Sequence, residues 1–212
     1  MKKYIIFDFD GTVINTNDVI IASWQEVFRT YLGHELPVEE IIKTFGETLW
    51  TTLDRLMPGC DQDEVVKCYR AYQDLHANEM VTECEGVKDL MEELHNRGYK
   101  LGIATSRTRA SYEGYADRFG ISKYIDAVVT MEDVTHHKPH PETATATLKK
   151  LGAKPEEALM LGDTKFDIAC SNSAGIDSVF VAWSMARLED ITESGYDPTY
   201  VIEKPMDFLE LL

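Results

Sequence analysis

Two aspartates one residue apart, Asp8 and Asp10, follow the apolar run Tyr4-Ile5-Ile6-Phe7 and are followed at once by Gly11. The run is typical of a short buried strand, and we expect both carboxylates at its exposed carboxyl end because buried ionised acids are costly. Two neighbouring carboxylates repel each other unless a cation holds them, which points to a hard ion such as Mg²⁺. The same pattern also occurs in turns and calcium loops, so it does not define a function alone.

Other polar groups follow apolar runs further along the chain. The carboxyl ends of parallel strands meet at one edge of a sheet, where ligands bind, so we expect these groups to converge on Asp8 and Asp10. Each also has a simpler interpretation, as a helix N-cap, a solvated loop residue or a strand-to-helix turn. The groups are Thr105 with Ser106 and Arg107, Lys138, and Asp163 with Asp167.

The hydrophobic pattern divides the chain into two parts. Residues 1–14 and 82–212 alternate strand and helix patterns, which predicts an α/β core with a parallel sheet. Strands are predicted at 4–7, 101–104, 127–130, 158–161 and 178–182, with an edge strand at 200–202 and a terminal helix at 206–212. Residues 15–81 instead carry four helical patterns, which predict a compact helical insert with its own apolar interior.

Composition restricts the function classes. The chain has 212 residues, enough for one sizeable core or a core with a smaller domain, and 44% of them are hydrophobic. Its 37 acidic residues outnumber its 21 basic ones, and the formal net charge is −16. Such a surface repels nucleic acid and anionic membranes, so we expect neither as a partner. An anionic substrate therefore requires positive charge concentrated locally.

Neither cysteine spacing nor the N-terminus suggests export. The four cysteines show no C-x-x-C or zinc pattern, which favours reduced thiols in a cytoplasmic protein. The N-terminal apolar run is too short for a signal peptide, and no stretch approaches the length of a membrane span. We expect a cytoplasmic monomer or homodimer.

Taken together, four ordered motifs resemble those of the haloacid-dehalogenase-like hydrolases. They begin with Asp8-Phe9-Asp10-Gly11-Thr12-Val13 and continue with Thr105, with Lys138-Pro139-His140-Pro141 and with Gly162-Asp163-Thr164-Lys165-Phe166-Asp167. The resemblance implies a Rossmann-like three-layer αβα core with a helical cap inserted after the first motif. The insert resembles the four-helix cap of phosphoglycolate phosphatases, β-phosphoglucomutases and a bacterial inorganic pyrophosphatase. Within the family, Asn15-Thr16-Asn17 and Val181-Ala182-Trp183 look most similar to the pyrophosphatase group.

The resemblance also implies roles for the residues in the motifs. Asp8 is the candidate nucleophile and Asp10 the candidate acid and base, as phosphoryl chemistry requires. Asp163 would complete a Mg²⁺ site with the Asp8 carboxylate and the Asp10 backbone carbonyl, while Asp167 would support the site from behind. Lys138 would offset the negative charge of the site.

The remaining candidate residues concern the substrate. Thr105 is a candidate hydroxyl donor to a phosphate oxygen, and Gly11, Ser106 and Arg107 are candidate substrate contacts. In the cap, Glu47 and Thr48 follow Gly46 in a loop that we expect above the site. Trp24, Trp50 and the cap tyrosines are expected to serve packing, and His136, His137 and His140 are not expected to bind metal.

These inferences favour a Mg²⁺-dependent phosphatase that acts on a small phosphorylated metabolite, with phosphoglycolate and pyrophosphate as the favoured substrates. Two alternatives remain: a β-phosphoglucomutase-like phosphotransferase, and a non-catalytic binding or regulatory domain of the same fold. Dehalogenase or phosphonatase chemistry is disfavoured because Asp10 is present.

Overall fold

The protein, described as a computed structural model over all residues 1–212, is built on one parallel sheet with a small two-stranded ribbon beside it. The six strands of the sheet run in the spatial order β5-β4-β1-β6-β7-β8, and β2 pairs antiparallel with β3 in the ribbon. The strands are β1 (Tyr4–Phe7), β2 (Ile14–Asn15), β3 (Thr82–Glu83), β4 (Lys100–Ala104), β5 (Ala127–Val129), β6 (Ala158–Gly162), β7 (Asp177–Val181) and β8 (Tyr200–Ile202).

Helices cover both faces of the sheet and form the insert. Short 3₁₀ helices occupy Ser122–Tyr124, Met131–Asp133, Pro155–Glu157 and Pro205–Leu211. The α-helices are α1 (Asn17–Leu32), α2 (Val38–Ile42), α3 (Leu49–Leu56), α4 (Gln62–Met80), α5 (Val87–Asn96), α6 (Arg109–Arg118), α7 (Glu142–Leu151), α8 (Lys165–Ser173) and α9 (Leu188–Thr192).

The side chains of β1 point alternately to the two faces of the sheet. Helices pack on both faces, so the core has three layers. Ile5 and Phe7 pack with α5 and α6 in the larger apolar cluster, whereas Ile6 packs with α7 and α8 on the opposite face. Successive side chains of a strand point to opposite faces, so a central strand covered on both sides must be apolar throughout. The predicted α/β fold with a three-layer αβα core is therefore confirmed.

The order of the strands creates a crevice at the centre of the sheet. The chain leaves β1 toward β4 on one side and leaves β6 toward β7 on the other side. β1 and β6 are paired in register from Tyr4 with Ala158 to Phe7 with Leu161. Ligands of open α/β sheets bind at such a reversal, beyond the carboxyl ends of the strands.

Helices α1 to α4 enclose a separate apolar cluster, as the helical pattern predicts. Trp24, Phe28, Leu53 and Tyr69 are among its buried members. Tyr31 and Leu75 follow the same helical spacing in the sequence, but they are exposed, with exposed fractions of 40% and 73%. Tyr31 lies in the last turn of α1, and Leu75 lies in the last two turns of α4.

The two chain crossings between the core and the helical insert lie side by side. Ile14 pairs with Glu83 and Asn15 with Thr82 in the β2–β3 ribbon. Nearby, the guanidinium of Arg118 in α6 donates hydrogen bonds to the carbonyl oxygens of Ala77, Asn78 and Val81, each at 3.0 Å. The two crossings between the core and the insert thus contain paired backbone.

The C-terminal part differs most from the expectation. A helix at Leu188–Thr192 was not predicted, and the terminal helix is a 3₁₀ helix over Pro205–Leu211. The edge strand β8 is present and parallel to β7. All four cysteines are free, and none of the helices has the length and apolar character needed to cross a membrane.

Candidate active site

The β1–β6 crevice holds two carboxylates that come from distant parts of the chain. Asp8 directly follows β1, and its backbone N–H donates to the carbonyl of Leu161 at 2.8 Å, which continues the strand pairing. Asp163 directly follows β6. Their exposed fractions are only 7% and 1%, so both acids are buried at the sheet edge.

One ammonium group, that of Lys138, lies between Asp8 and a third acid, Asp167. The Lys138 Nζ atom is 2.6 Å from Asp8 Oδ1 and 2.6 Å from Asp167 Oδ1. Burial alone disfavours the charged form of the lysine, but the charges of Asp167 and Asp8 outweigh it and raise its pKa above the ordinary value. Lys138 therefore remains a cation between two carboxylates.

Asp167 is itself held in place by the start of α8. Its Oδ2 accepts a hydrogen bond from the Thr164 Oγ1 at 2.6 Å and another from the Thr164 backbone N–H at 3.1 Å. This reciprocal capping fixes the carboxylate that faces Lys138. The structure thus brings together Asp8, Lys138, Asp163 and Asp167, as the order of the motifs predicts.

The buried acids outnumber the buried cation. Carboxylate oxygens of Asp8, Asp163 and Asp167 lie within 4.8 Å of one another. Burial, together with the charge of Asp167, raises the pKa of Asp8 to about 7 and raises that of Asp163 well above its usual value. Three carboxylates beside one ammonium form an all-oxygen donor set with surplus negative charge, which fits a hard divalent cation.

Gly11 shapes the turn that brings the chain past Asp163. Its φ is +73°, and its N–H donates to the carbonyl of Ile14 at 2.8 Å. A Cβ atom at this position would lie 2.7 Å from the Asp163 Cγ. Only glycine combines this backbone conformation with such a close approach. Gly11 does not line the cavity above the site, so its prediction as a substrate contact stays untested.

Two hydroxyl groups that the sequence did not single out hold Asp163. Ser184 Oγ donates to Asp163 Oδ2 at 2.6 Å, and Thr12 Oγ1 lies 3.4 Å from Asp163 Oδ1. Thr12 follows the Asp-x-Asp-Gly run, so its position could have been noticed. Ser184 lies in the stretch with the weakest sequence pattern, and no local signal marks it.

Asp10 points away from the acid cluster, toward Arg107. The Arg107 Nε is 2.9 and 2.7 Å from the two Asp10 oxygens, and its Nη2 is 2.7 Å from Oδ1. Thr16 Oγ1, at the entrance to the cap, also donates to Asp10 Oδ1 at 2.7 Å. The sequence predicted Arg107 as a substrate contact and gave no sign of its pairing with Asp10.

Thr105 and Ser106 differ in their access to the site. Thr105 is 1% exposed, and its Oγ1 accepts a hydrogen bond from the Arg107 backbone N–H at 3.1 Å. It therefore supports the loop that carries Arg107 and lies behind the cavity wall. Ser106 lines the cavity.

A cavity of about 630 Å³ separates the acid cluster from the cap. Glu47 and Thr48 line it, as predicted from the loop after Gly46. Glu47 Oε2 already accepts hydrogen bonds from Thr52 and Arg55, each at 2.9 Å, so its carboxylate is neutralised within the cap.

The cap aromatics and the loop histidines have different environments. Trp24 is buried and stacks on Phe28, as expected for packing, whereas Trp50 is 36% exposed and lines the cavity, so its assignment to packing was wrong. His136, His140 and Glu142 lie within 4.8 Å of one another on the surface, where Glu142 accepts hydrogen bonds from backbone N–H groups of the same loop.

Comparison with known proteins fits this arrangement. A family profile described as haloacid dehalogenase-like hydrolase matches residues 5–181. The chain belongs to this family. It is similar to a pyrophosphatase, PpaX, of Bacillus mycoides, with 37% identity over 211 residues that cover 98% of this chain and 95% of that protein. The family and its phosphatase relatives make the protein a phosphatase, and phosphatases of this family generally use a divalent metal ion.

Solved structures of the family show the same fold. A haloacid dehalogenase-like hydrolase of Streptococcus pneumoniae superposes with a TM-score of 0.85 at 25% identity, covering 99% of this chain and 98% of that one. A candidate phosphoglycolate phosphatase of Lactobacillus plantarum gives a TM-score of 0.85 at 26% identity, with all of both chains covered. The similarity extends over the helical insert as well as the core.

Proposed function

We propose that the protein is a Mg²⁺-dependent pyrophosphatase that works through an aspartyl-phosphate intermediate. The observation that carries the proposal is the buried contact of Asp8 with Lys138 beside Asp163, at the edge of the sheet where a ligand binds. The similarity to PpaX over nearly the whole chain supports pyrophosphate as the substrate. Phosphoglycolate is the second candidate, because a structural relative at 26% identity, with a TM-score of 0.85 over all of both chains, carries that name.

The metal would be held by the carboxylates of Asp8 and Asp163 and by the backbone carbonyl of Asp10. Oxygen donors and surplus negative charge suit Mg²⁺, which needs few protein ligands because it retains water and takes phosphate oxygens. When bound, Mg²⁺ would neutralise phosphate oxygens and orient the phosphoryl group toward the nucleophile.

The residues of this chain supply the remaining steps. An Asp8 oxygen forms a bond to the terminal phosphorus while the bridging P–O bond breaks, and Asp10 gives a proton to the departing phosphate. Water then attacks the phosphorus of the aspartyl phosphate and gives a proton to Asp10. The bond between phosphorus and the Asp8 oxygen breaks, so the second phosphate is released and Asp8 is restored. Lys138 keeps the Asp8 carboxylate oriented and reduces its repulsion of the anionic substrate.

We further propose that residues 15–81 act as a cap domain on a core formed by residues 1–14 and 82–212. The cavity lies between these two parts, so movement of the cap would control access to Asp8 and exclude bulk water during the reaction. The direction of such movement is limited by the β2–β3 ribbon, through which both chain crossings pass.

Phosphate release from pyrophosphate in the presence of Mg²⁺ tests the proposal. We expect Asp8→Asn to reduce kcat by about 1,000-fold or more, since the nucleophile is lost. Asp89→Asn, a change of the same type at an exposed position of α5, should retain wild-type activity. EDTA should abolish turnover, and excess Mg²⁺ should restore it.

The same assay separates the rival functions. A phosphoglucomutase-like enzyme would isomerise a sugar phosphate without net release of phosphate, and a binding domain would release none from any substrate. Activity on phosphoglycolate with none on pyrophosphate would select the second candidate. Turnover that survives Asp8→Asn would refute the aspartyl-phosphate mechanism.

A further inference from the structure

Among the cations that line the cavity, Arg107 is the one whose ionic partner is Asp10, the proposed acid and base. Lys138 is held between Asp8 and Asp167. Arg118 directs its terminal nitrogens to backbone carbonyls of the cap junction. Arg70 lies on the cap, with its guanidinium 5.8 Å from the centre of the Trp50 ring.

The position of the Arg107 guanidinium is fixed on three sides. Its Nη1 donates to Ser111 Oγ at 2.6 Å, and its central carbon lies 4.8 Å from the centre of the Tyr115 ring. The Arg107 side chain is only 12% exposed. An arginine stacked and hydrogen-bonded in this way presents a pre-oriented fork of donors, suited to a carboxylate or a phosphate.

Asp10 is the less constrained member of this pair. Its side chain is 28% exposed, and its other hydrogen-bond partner is the hydroxyl of Thr16. Both Asp10 and Arg107 line the cavity. An anion arriving there can take the place of the Asp10 carboxylate on the guanidinium without leaving a buried arginine unpaired, which would be costly.

We propose that Arg107 is the receptor for a second anionic group of the substrate and that this group displaces Asp10 from the guanidinium. The proposal rests on the proposed phosphatase function and deepens it. The substrate class is a phosphoryl compound with a further anion close to the transferred group, such as pyrophosphate. A simple monoester lacks the second anion, leaves Asp10 bound to Arg107 and is a poor substrate.

The charge of the cavity supports this assignment. Its lining includes six acidic side chains and four basic ones. Of the other three basic residues, Lys138 is held by Asp8 and Asp167, Arg118 donates to backbone carbonyls, and Arg70 lies on the cap beside Trp50. At the catalytic end of the cavity, a substrate with two anionic groups therefore meets Lys138 and one further cation, Arg107. Arg107 can exchange its carboxylate partner, Asp10, for the second anionic group.

The test compares two substrates and two inhibitors. The substrates are pyrophosphate and phenyl phosphate, which lacks the second anion; the inhibitors are imidodiphosphate and inorganic phosphate, assayed against phenyl phosphate with Mg²⁺ present. We expect Arg107→Gln to lower kcat/KM for pyrophosphate by roughly 10- to 100-fold, the range for a lost charged hydrogen bond. The value for phenyl phosphate should stay the same or rise, because that substrate makes no such contact and the variant releases Asp10 from the guanidinium.

Inhibition reports binding independently of pyrophosphate turnover. Imidodiphosphate should inhibit the wild type more strongly than phosphate does, and this preference should disappear in Arg107→Gln and return in part in Arg107→Lys, which keeps the charge. The control is Arg109→Gln, which removes another arginine paired with an aspartate, Asp133, outside the cavity. It should preserve both the preference and the ratio of kcat/KM values.

The outcomes separate this proposal from the proposed function. Equal losses on both substrates in Arg107→Gln would overturn the receptor role, since they would show only a disturbed Asp10. A wild type that binds imidodiphosphate no better than phosphate would overturn it as well. Failure of the wild type to release phosphate from pyrophosphate, despite a preference for imidodiphosphate that depends on Arg107, would overturn the pyrophosphatase assignment and leave the receptor supported.

Discussion

Replacement of Gly11 by alanine tests whether the turn after the aspartate pair positions the metal site. Gly33 offers a matched control, because its φ of +74° nearly equals the +73° of Gly11, and a Cβ there would meet nothing within 4 Å. A Cβ at Gly11 would instead lie against the Asp163 carboxylate, 2.7 Å from its Cγ and 3.1 Å from its Oδ1. The two variants therefore share the backbone strain and differ in the contact.

The expected energies follow from this difference. A side chain in the left-handed region costs about 1–2 kcal/mol, and both variants should lose this much in free energy of unfolding. At Gly11, the Asp163 carboxylate must also move away from the Ser184 hydroxyl, from which it accepts a hydrogen bond at 2.6 Å. A lost hydrogen bond to a charged group adds about 1.5–3 kcal/mol.

Urea unfolding with and without Mg²⁺ measures both effects. Mg²⁺ at 100 times its Kd stabilises a binding protein by about 2.7 kcal/mol. The wild type and Gly33→Ala should show the same gain, whereas Gly11→Ala should lose most of it because Asp163 is displaced. If Gly11→Ala loses no more stability than Gly33→Ala and keeps the full gain from Mg²⁺, the link between this turn and the metal site is refuted.

Three further predictions address charge and packing. Burial raises the pKa of Asp8 to about 7, so the native metal-free protein binds more protons than the unfolded chain between about pH 4 and 7. Its Tm should therefore rise on acidification from pH 8 to 5.5, and a Tm that falls would contradict this. Asp167→Asn weakens the hold on Lys138 and should lower the free energy of unfolding by about 1.5–3 kcal/mol in urea; an unchanged midpoint would count against it. Leu53→Ala, at a fully buried cap position, should cost about 2–5 kcal/mol by the same method, and a loss below about 1 kcal/mol would show that the cap core is not tightly packed.

The sequence predicts the framework of the site because strand ends locate side chains. Asp8 and Asp163 each follow a continuous apolar run, and parallel pairing of those runs necessarily brings the two acids to one edge. The strand end locates Lys138 less directly, since this residue lies in the loop several residues beyond the end of β5. These positions depend on parallel pairing of the strands, which the alternation of strand and helix patterns predicts.

The partners of those residues could not be predicted in the same way. Ser184 reaches Asp163 from a segment with weak periodicity, and Arg107 reaches Asp10 across 97 positions of sequence. Such contacts depend on side-chain rotamers and loop paths, which hydrophobic periodicity does not encode. Leu75 shows the same limit, because it fits the helical spacing of α4 and is nevertheless 73% exposed.

The pairing of β2 with β3 has an evolutionary consequence. Asn15 and Thr82 lie opposite each other in one hydrogen-bonded ladder, so excision of the intervening chain would leave two ends already adjacent. A tight turn could close them, and the remainder would have the size of an autonomously folding domain. Recombination at this junction can therefore exchange one lid for another without rebuilding the catalytic sheet, which gives the scaffold a simple route to new substrates.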